Sequence, residues 1–443
     1  MVADKQTRKA VVIDPQRDIK IYLEDAKKHG FQIERVILTH FHADFISGHI
    51  ELNKAVGAQI CMGRKAEAEF PFRSLSDGDD LVTGSVKLSV LETPGHTPEG
   101  ISILVYDLND NPNQPKMILT GDTLFLGDVG RPDLLASIGV TADELAGMLY
   151  HTLHHKILTL PDKTLVYPAH GAGSMCGKQL SDEEVSTLGE QRKYNYALQP
   201  MSKENFIEMV TTDLPEVPQY FVHDAIMNRK ERQTLDETVS ASWNAFSLDE
   251  VLKMRNTSTQ IIDVRSVTEF AGAHLKGSIN IGLDGRYATW AGTMLDKNAP
   301  ILVIAEDEKL IEEAITRLGR IGFDQVKGFL EDGLNSLNNR PDLISQTKRI
   351  SAPALIELDE KKIIVDIRSQ SEWEAGHIEG SVNIPLNQLQ ERLNEIPNDQ
   401  KVIVHCHGGY RSSIAASLLE KQKYENVLDL VGGYQAWLMV AVT

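Results

Sequence analysis

Cysteine is scarce in this chain: three residues, Cys61, Cys176 and Cys406, in 443. An odd number so widely spaced excludes a disulfide-stapled scaffold and points to a reducing compartment, for which the cytoplasm is the expectation. Long apolar runs are also missing, so no segment is suited to span a bilayer. The opening MVADKQTRKAVVIDP lacks the apolar core of a secretory signal. Positive charge is in short supply, with 45 Lys and Arg against 63 Asp and Glu and a formal net charge of -18. A surface of that sign repels nucleic acid and anionic membranes, which sets both aside as partners. It leaves room for a small anionic substrate in a locally positive pocket. The length accommodates about two to four domains, each with its own core.

What is present is alternation of apolar runs and turns. KAVVIDP, ERVILTH, GAQICMG, VKLSVLETPGH and GISILVYDL read as strands, and residues 18–30 and 47–57 as short helices. LTGDTLFLGDVG and KTLVYPAHGAG each run from an apolar stretch into a polar, glycine-containing turn, the kind of place where sites gather. A layered α/β domain is expected over roughly residues 1–180. Beyond it, DEEVSTLGEQRKYNYALQ and SKENFIEMVTTDLP predict two helices, the second stopped by Pro215, packed on that domain as an extension.

The rest holds an internal repeat. Residues 261–281 read IIDVRSVTEFAGAHLKGSINI and residues 364–384 read IVDIRSQSEWEAGHIEGSVNI. Each copy opens a unit of strand and helix patterns, with the runs ILVIA and VIVH similarly placed after it. The expected domains are 1–235, 236–347 and 348–443.

Chemistry-bearing residues cluster at strand ends. THFHADFISGH supplies His40, His42 and Asp44, and then places Phe45 where a further ligand would have stood. His96 lies in TPGHTPEG, Asp122 in LTGDTLF and His170 in YPAHGAG. A lone histidine beside a turn is more often a cap or a surface residue. A full set delivered by four strand ends converges if the strands share a rim, and such a cluster needs a metal to offset its desolvation.

HxHxD, TPGHT, GDTLF and PAHG resemble the metallo-β-lactamase superfamily, and GDTLFLGDVGRPDL with AHGAGSMCGK resembles its persulfide dioxygenase branch, the ethylmalonic-encephalopathy type. The resemblance covers the N-terminal domain and implies an αββα sandwich. It implies one Fe(II) per chain held by His40, His96 and Asp122, with open positions for substrate sulfur and O₂ as co-substrate. His42, Asp44 and His170 would then support the ligands, or in dinuclear hydrolase relatives help hold a second metal that Phe45 has deprived of a ligand. Arg131 would meet the anionic substrate, the alternative being an ion pair with Asp128 or Asp133. Cys176 reads either as a reactive thiol or as inert packing, and Cys61 as a buried strand residue. Such domains usually begin with an extra strand or hairpin, and here about ten residues precede the VVIDP strand, so the first strand is expected to be missing.

VIVHCHGGYRSSIAASLL sets Cys406 between a strand and a helix. Residues 407–411 can wrap backbone N–H groups around its sulfur, and Ser412 and Ser413 are expected to open the helix. Such an environment favours a thiolate nucleophile. With the DIRSQSEWEAGHIEGSVNIP frame, the string resembles a rhodanese domain, which implies Cys406 as a persulfide carrier and Arg411 as the residue closing its loop. Asp366, Arg368, His377 and Asn383 would maintain the fold. Four residues between Cys406 and Arg411 favour this over the longer phosphatase loop. The middle unit has no cysteine and resembles a silent rhodanese.

The order of parts resembles bacterial fusion proteins of sulfide detoxification. The fold class is therefore α/β, an αββα metallo-β-lactamase sandwich followed by two α/β rhodanese domains. The expected activity is oxidation of a thiol persulfide (of glutathione, coenzyme A or bacillithiol) to sulfite, with transfer of sulfur to sulfite giving thiosulfate. A dinuclear zinc thioester hydrolase or lactonase with accessory rhodaneses, and a sulfur-binding sensor, are the alternatives. The apolar ending GGYQAWLMVAVT raises homo-oligomerisation as an expectation.

Overall fold

The computed structural model describes residues 1–134, 139–171, 174–178, 180–181, 183–214, 218 and 220–441. Pro215, Ala172 and Gly173 of the motifs above, and the last two residues of the apolar ending, lie outside the described residues. Backbone contacts divide the chain into one unit of Met1–Leu235 with Arg320–Gly322 and another of Asp236–Gly319 with Phe323–Thr443.

The first unit contains two sheets. One holds β1 (Val2–Asp4), β2 (Lys9–Ile13), β3 (Gln32–Ile37), β4 (Gln59–Gly63) and β5 (Arg73–Leu75), in that order. The other holds β6 (Asp80–Thr83), β7 (Val86–Glu92), β8 (Ile101–Asp107), β9 (Met117–Gly121), β10 (Leu165–Pro168) and β11 (Ser186–Thr187), ordered β11-β10-β9-β8-β7-β6. The expectation of a missing first strand is corrected. Val2–Asp4 pairs antiparallel with β2 through a turn at KQTR, so the residues ahead of VVIDP supply a full hairpin. Asp4 closes that turn, accepting hydrogen bonds from the Thr7 backbone N–H and hydroxyl.

Strand alternation sorts the core. Val11, Ile37 and Cys61 face Leu88, Val90, Ile101 and Ile103 across the gap between the sheets. Their neighbours Ala10, Val12, Val36, Ile60 and Met62 point outward, where Ala26 and Leu52 from helices cover them. On the other face, Ile118 and Val166 meet Leu149, Leu153 and Phe206. The result is helix, sheet, sheet, helix. The two helices predicted near 18–30 and 47–57 are Lys20–His29 and His49–Val56. The DEEVSTLGEQRKYNYALQ stretch is shorter as a helix than expected: it contributes β11, then Leu188–Tyr194 behind a Thr187/Glu190 capping box.

The second unit holds two all-parallel sheets. The first contains β12 (Ala245–Phe246), β13 (Gln260–Asp263), β15 (Ile279–Asn280), β16 (Ile301–Ile304) and β17 (Val326–Leu330), ordered β12-β17-β16-β13-β15, with a small pair of β14 (His274–Leu275) and β18 (Ile344–Ser345) beside it. The second contains β19 (Lys348–Ile350), β20 (Lys362–Asp366), β21 (Val382–Asn383), β22 (Lys401–His405) and β23 (Val427–Leu430), ordered β19-β23-β22-β20-β21.

The repeated frame makes the same bonds twice. Arg265 pairs with Asp263, and Arg368 with Asp366, each at 2.6 Å and buried. Each arginine also donates to a backbone carbonyl eight residues on, Ala273 or Gly376, at 2.8 Å. Asn280 and Asn383 tie down the carbonyls of those Asp–Arg pairs. His274 stacks on Phe270 at 3.8 Å and His377 on Trp373 at 3.9 Å. Strand register extends the match: Asp263 lies opposite Ile304 and Asp366 opposite His405. The next residues, Ala305 and Cys406, therefore occupy one structural position, and the silent repeat has alanine where its neighbour has the thiol.

Among the described residues no helix is long and apolar enough to cross a membrane. The apolar ending forms the helix Gly433–Ala441, in which Leu438 and Met439 are exposed.

Candidate functional site

Topology explains the convergence at the rim. β7 and β9 each run antiparallel to β8, and β10 runs parallel to β9, so β7, β9 and β10 all end on one side. Those ends carry His96, Asp122 and His170. The end of β3, from the other sheet, adds His40, His42 and Asp44. The two sheets are sewn together there, because the Ile101 N–H donates to the Thr39 carbonyl at 2.9 Å and the Phe41 N–H to Glu99 Oε1 at 3.1 Å.

His40, His96 and Asp122 place one ligand atom each within 4.8 Å of one another, and all three are buried. Nε2 of His40 and of His96 lie 3.8 and 3.6 Å from Asp122 Oδ2. The outer nitrogens are spoken for. His96 Nδ1–H donates to the Arg131 carbonyl at 2.9 Å. Thr39 Oγ1 gives its one proton to Asp14 Oδ2 at 2.8 Å and therefore accepts from His40 Nδ1–H at 2.9 Å. Both imidazoles are thus held with a bare Nε2 lone pair facing the carboxylate. Burial, helped by the neighbouring His42, His96 and His170, keeps His40 well below the ordinary histidine range, so it is neutral.

These residues fit a metal. Both Asp122 oxygens are buried with no N–H or O–H donor aligned on them among the described residues. A carboxylate in that position is costly without a cation.

A second group, His42, Asp44 and His170, also lies within 4.8 Å, and Asp122 bridges the two groups, its Oδ1 being 3.4 Å from His170 Nε2. Phe45 closes this side: its ring lies over His42 at 4.4 Å and 6.3 Å from His170. Burial disfavours charge on His42, but Asp14, 3.1 Å from Nε2, together with Asp44 and Asp122, outweighs it and raises the group.

Arg131 buries its guanidinium, which forks onto both oxygens of Asp133 at 2.7 Å, one of the two ion pairs weighed for the residue above. Its backbone does the positioning, through the carbonyl that orients His96. Cys176 is closer to the centre than its sequence suggested. It groups with Asp122 and His170 as a further set able to hold a metal, and burial plus the charges of Asp44 and Asp122 push its thiol well up. Cys61 is buried in β4, its thiol pushed up to about 11 by burial.

Gly130 is the tightest point. A Cβ there would stand 1.8 Å from the Asp122 carbonyl oxygen and 3.0 Å from His96 Nδ1. Gly130→Ala is expected to displace both ligands and to lower metal content by the roughly 10- to 100-fold typical of lost orienting partners. Metal analysis checks it, and full retention would refute this account of the turn.

The second constellation surrounds Cys406, 1% exposed at the end of β22. The Gly409 N–H points at its sulfur at 3.0 Å, and Gly409 needs its φ of 113° to do so. The helix starts at Tyr410, two residues before Ser412, so only residues 407–409 form the loop. Arg411, on the first turn, is held bidentately by Glu372 at 2.7 Å and 2.7 Å. Glu372 went unnoticed in the sequence because its spacing from Ser369 reads as a helix capping box, which it also forms. Against the cost of partial burial, Arg411 and Ser369 draw its carboxyl down to about 2. Since an unfolded glutamate titrates near 4.3, the stabilisation is whole above that pH and fades as pH falls towards 2. The stability difference between parent and Glu372→Gln should accordingly be constant above about pH 5 and vanish on acidification, as followed by acid unfolding. A difference that grew with acid would contradict the pairing.

Family models match twice. Residues 3–170 match the metallo-beta-lactamase superfamily, and residues 247–339 and 351–439 each match the rhodanese-like domain. The chain is 32% identical over 226 residues to the persulfide dioxygenase ETHE1, mitochondrial, of Homo sapiens, covering 49% of this chain and 78% of that protein. It is 31% identical over 171 residues to a hydroxyacylglutathione hydrolase of Dictyostelium discoideum, covering 38% and 60%. A crystal structure of a metallo-beta-lactamase from Staphylococcus aureus subsp. aureus COL superposes with a TM-score of 0.65 at 31% identity, over 74% of this chain and 93% of that one. The cytoplasmic expectation does not stand. The human relative and those of Bos taurus and Mus musculus are mitochondrial by name. Scarce cysteine argues against a disulfide framework and does not fix the compartment.

Proposed function

The chain belongs to the metallo-beta-lactamase superfamily and carries two rhodanese-like domains behind that fold, and on that premise we propose that it is an Fe(II)-dependent persulfide dioxygenase joined to a sulfurtransferase. The observation that carries the reading is the buried His40–His96–Asp122 set with two bare Nε2 atoms, in one chain with a cysteine whose sulfur is cradled by a backbone N–H. Two imidazoles and one carboxylate suit non-haem iron with open positions. When bound, one Fe(II) per chain supplies O₂ activation next to an anionic persulfide.

The protein's own groups do the rest. Thr39 and the Arg131 carbonyl hold the imidazole tautomers. Phe45 closes the side of His42 and His170 with an apolar ring, which favours one ion over two. The net reaction takes thiol persulfide, O₂ and water to thiol, sulfite and two protons. Cys406, carrying an outer sulfur, passes it to sulfite: the Cys406 S–S bond breaks, an S–S bond to sulfite forms, and thiosulfate leaves. Domains 1–235, 236–347 and 348–443 divide this work into oxidation, support and sulfur transfer.

A dinuclear zinc thioester hydrolase is the second reading, favoured by the His42–Asp44–His170 group and by the hydroxyacylglutathione hydrolase relatives. One experiment separates the two. Anaerobically purified protein is analysed for metal and assayed with glutathione persulfide for O₂, sulfite and thiosulfate. About one iron per chain with O₂ uptake is expected; two zinc ions with thioester hydrolysis and no O₂ uptake would overturn the proposal.

A further inference from the structure

The cleft over Cys406 is built by both repeats. It measures about 770 Å³, and the silent repeat supplies part of its lining, including Asp284, Arg286 and Trp290. The wall is firmly seated. Tyr410 Oη donates to the Gly282 carbonyl at 2.7 Å, and Ser413 Oγ to Asn280 Oδ1 at 2.6 Å. A Cβ on Gly285 would come within 2.3 Å of the Tyr410 ring. The silent repeat is thus packed against the first turns of the helix after Cys406.

Sulfite or thiosulfate would fill a small part of such a cleft, whose size is typical of sites for organic ligands. Its cations are unequal. Arg411 is closed on Glu372, and Arg349 lies 3.3 Å from Asp429. Arg286 is exposed at the mouth of the cleft, and its guanidinium has no acidic or hydrogen-bonding partner among the described residues. Trp290 lies four residues beyond it and lines the same cleft, partly buried. An unpaired guanidinium matches carboxylate or phosphate, and an indole offers a flat face to an organic body. In a chain of net charge -18, attraction of an anion here has to be local.

We propose that the Cys406 cleft takes an anionic organic thiol persulfide, and that Arg286 and Trp290, from the repeat without a cysteine, determine its affinity. The proposal rests on the reading of Cys406 as a sulfur carrier. In the step, the Cys406 thiolate attacks the outer sulfur of the persulfide. A new S–S bond forms on Cys406, the carrier's own S–S bond breaks, and the carrier leaves as thiolate. Electrons balance without an oxidant.

The test loads the full chain with three sulfur donors: coenzyme A persulfide, which offers phosphates, glutathione persulfide, which offers carboxylates, and inorganic thiosulfate. Sulfur on Cys406 is followed by mass spectrometry, and KM is separated from kcat. Arg286→Ala should raise KM for at least one organic donor by roughly tenfold, the scale of one lost charge-assisted contact. Trp290→Ala should raise it through lost packing against the organic body, and each variant should raise it by more than it changes KM for thiosulfate. Arg286→Lys should recover part of the loss. A deficit confined to coenzyme A persulfide assigns phosphate, and one confined to glutathione persulfide assigns carboxylate. Unchanged KM for both organic donors, or an equal loss with thiosulfate, would overturn the proposal. Failure of every donor to load Cys406 in the parent protein would instead remove the sulfurtransferase reading, and this inference with it.

Discussion

Asp122→Ala is expected to abolish O₂ uptake and to cut metal affinity by more than 100-fold, beyond the roughly 10- to 100-fold range seen when only an orienting partner is lost. Asp122 is the one carboxylate in the buried set and also the bridge between the two donor groups. Without it, two imidazoles face one another with nothing to offset the ion's charge. The metal-free protein should tolerate the change well, since among the described residues no N–H or O–H donor is aligned on the lost oxygens. Thermal unfolding therefore discriminates. Metal added to the parent should raise its Tm by linkage, and metal added to Asp122→Ala should not. A variant that loses activity yet keeps the metal-dependent Tm shift would show that Asp122 is not a ligand.

Cys406→Ser should leave iron content and O₂ uptake intact while moving the product from thiosulfate to sulfite. The sulfur atom is the only group at its position able to carry a second sulfur, and a hydroxyl fits the same space. Ser412 Oγ, 3.7 Å away, and the Gly409 N–H can serve an oxygen as well as a sulfur, so the loop should keep its shape. Sulfite and thiosulfate are measured together, against the same O₂ trace. Unchanged thiosulfate would mean that the two halves of the chain do not share a product.

Much of the sandwich could be read from short apolar runs, because β2, β4 and β8 are buried on both faces over most of their length, while β3 and β7 keep buried apolar residues between polar ones. The short β5 and β6 escaped, being three and four residues long with exposed, polar positions. Among the ligand candidates, histidines at turns announced themselves by type. Their supporters did not: Thr39 and Asp14 look like ordinary loop residues, and their bond spans 25 positions of sequence. The carbonyl of Arg131 was equally hidden, because a sequence does not show which backbone oxygen will meet His96, while its guanidinium pairs with Asp133 two residues on. The repeat was plain, but the meeting of Glu372 with Arg411 spans 39 residues and depends on the tertiary fold.

The equivalence of Ala305 and Cys406 sets a limit on how the silent repeat came to be, or could cease to be, silent. Where Cys406 is followed by His407, Gly408 and Gly409, Ala305 is followed by Glu306, Asp307 and Glu308. Glu269, which corresponds to Glu372, has no arginine to hold: it shares a hydrogen bond with Glu306, whose carboxyl it pushes up. Restoring the thiol alone through Ala305→Cys would set it among three carboxylates, with no glycine to turn an N–H towards it. Such a cysteine should resist alkylation at neutral pH while Cys406 reacts. A lost nucleophile is usually pictured as one step from recovery. Here acids stand where the neighbour has a histidine and glycines, so recovery needs several substitutions, and the repeat serves instead as a wall of its neighbour's cleft.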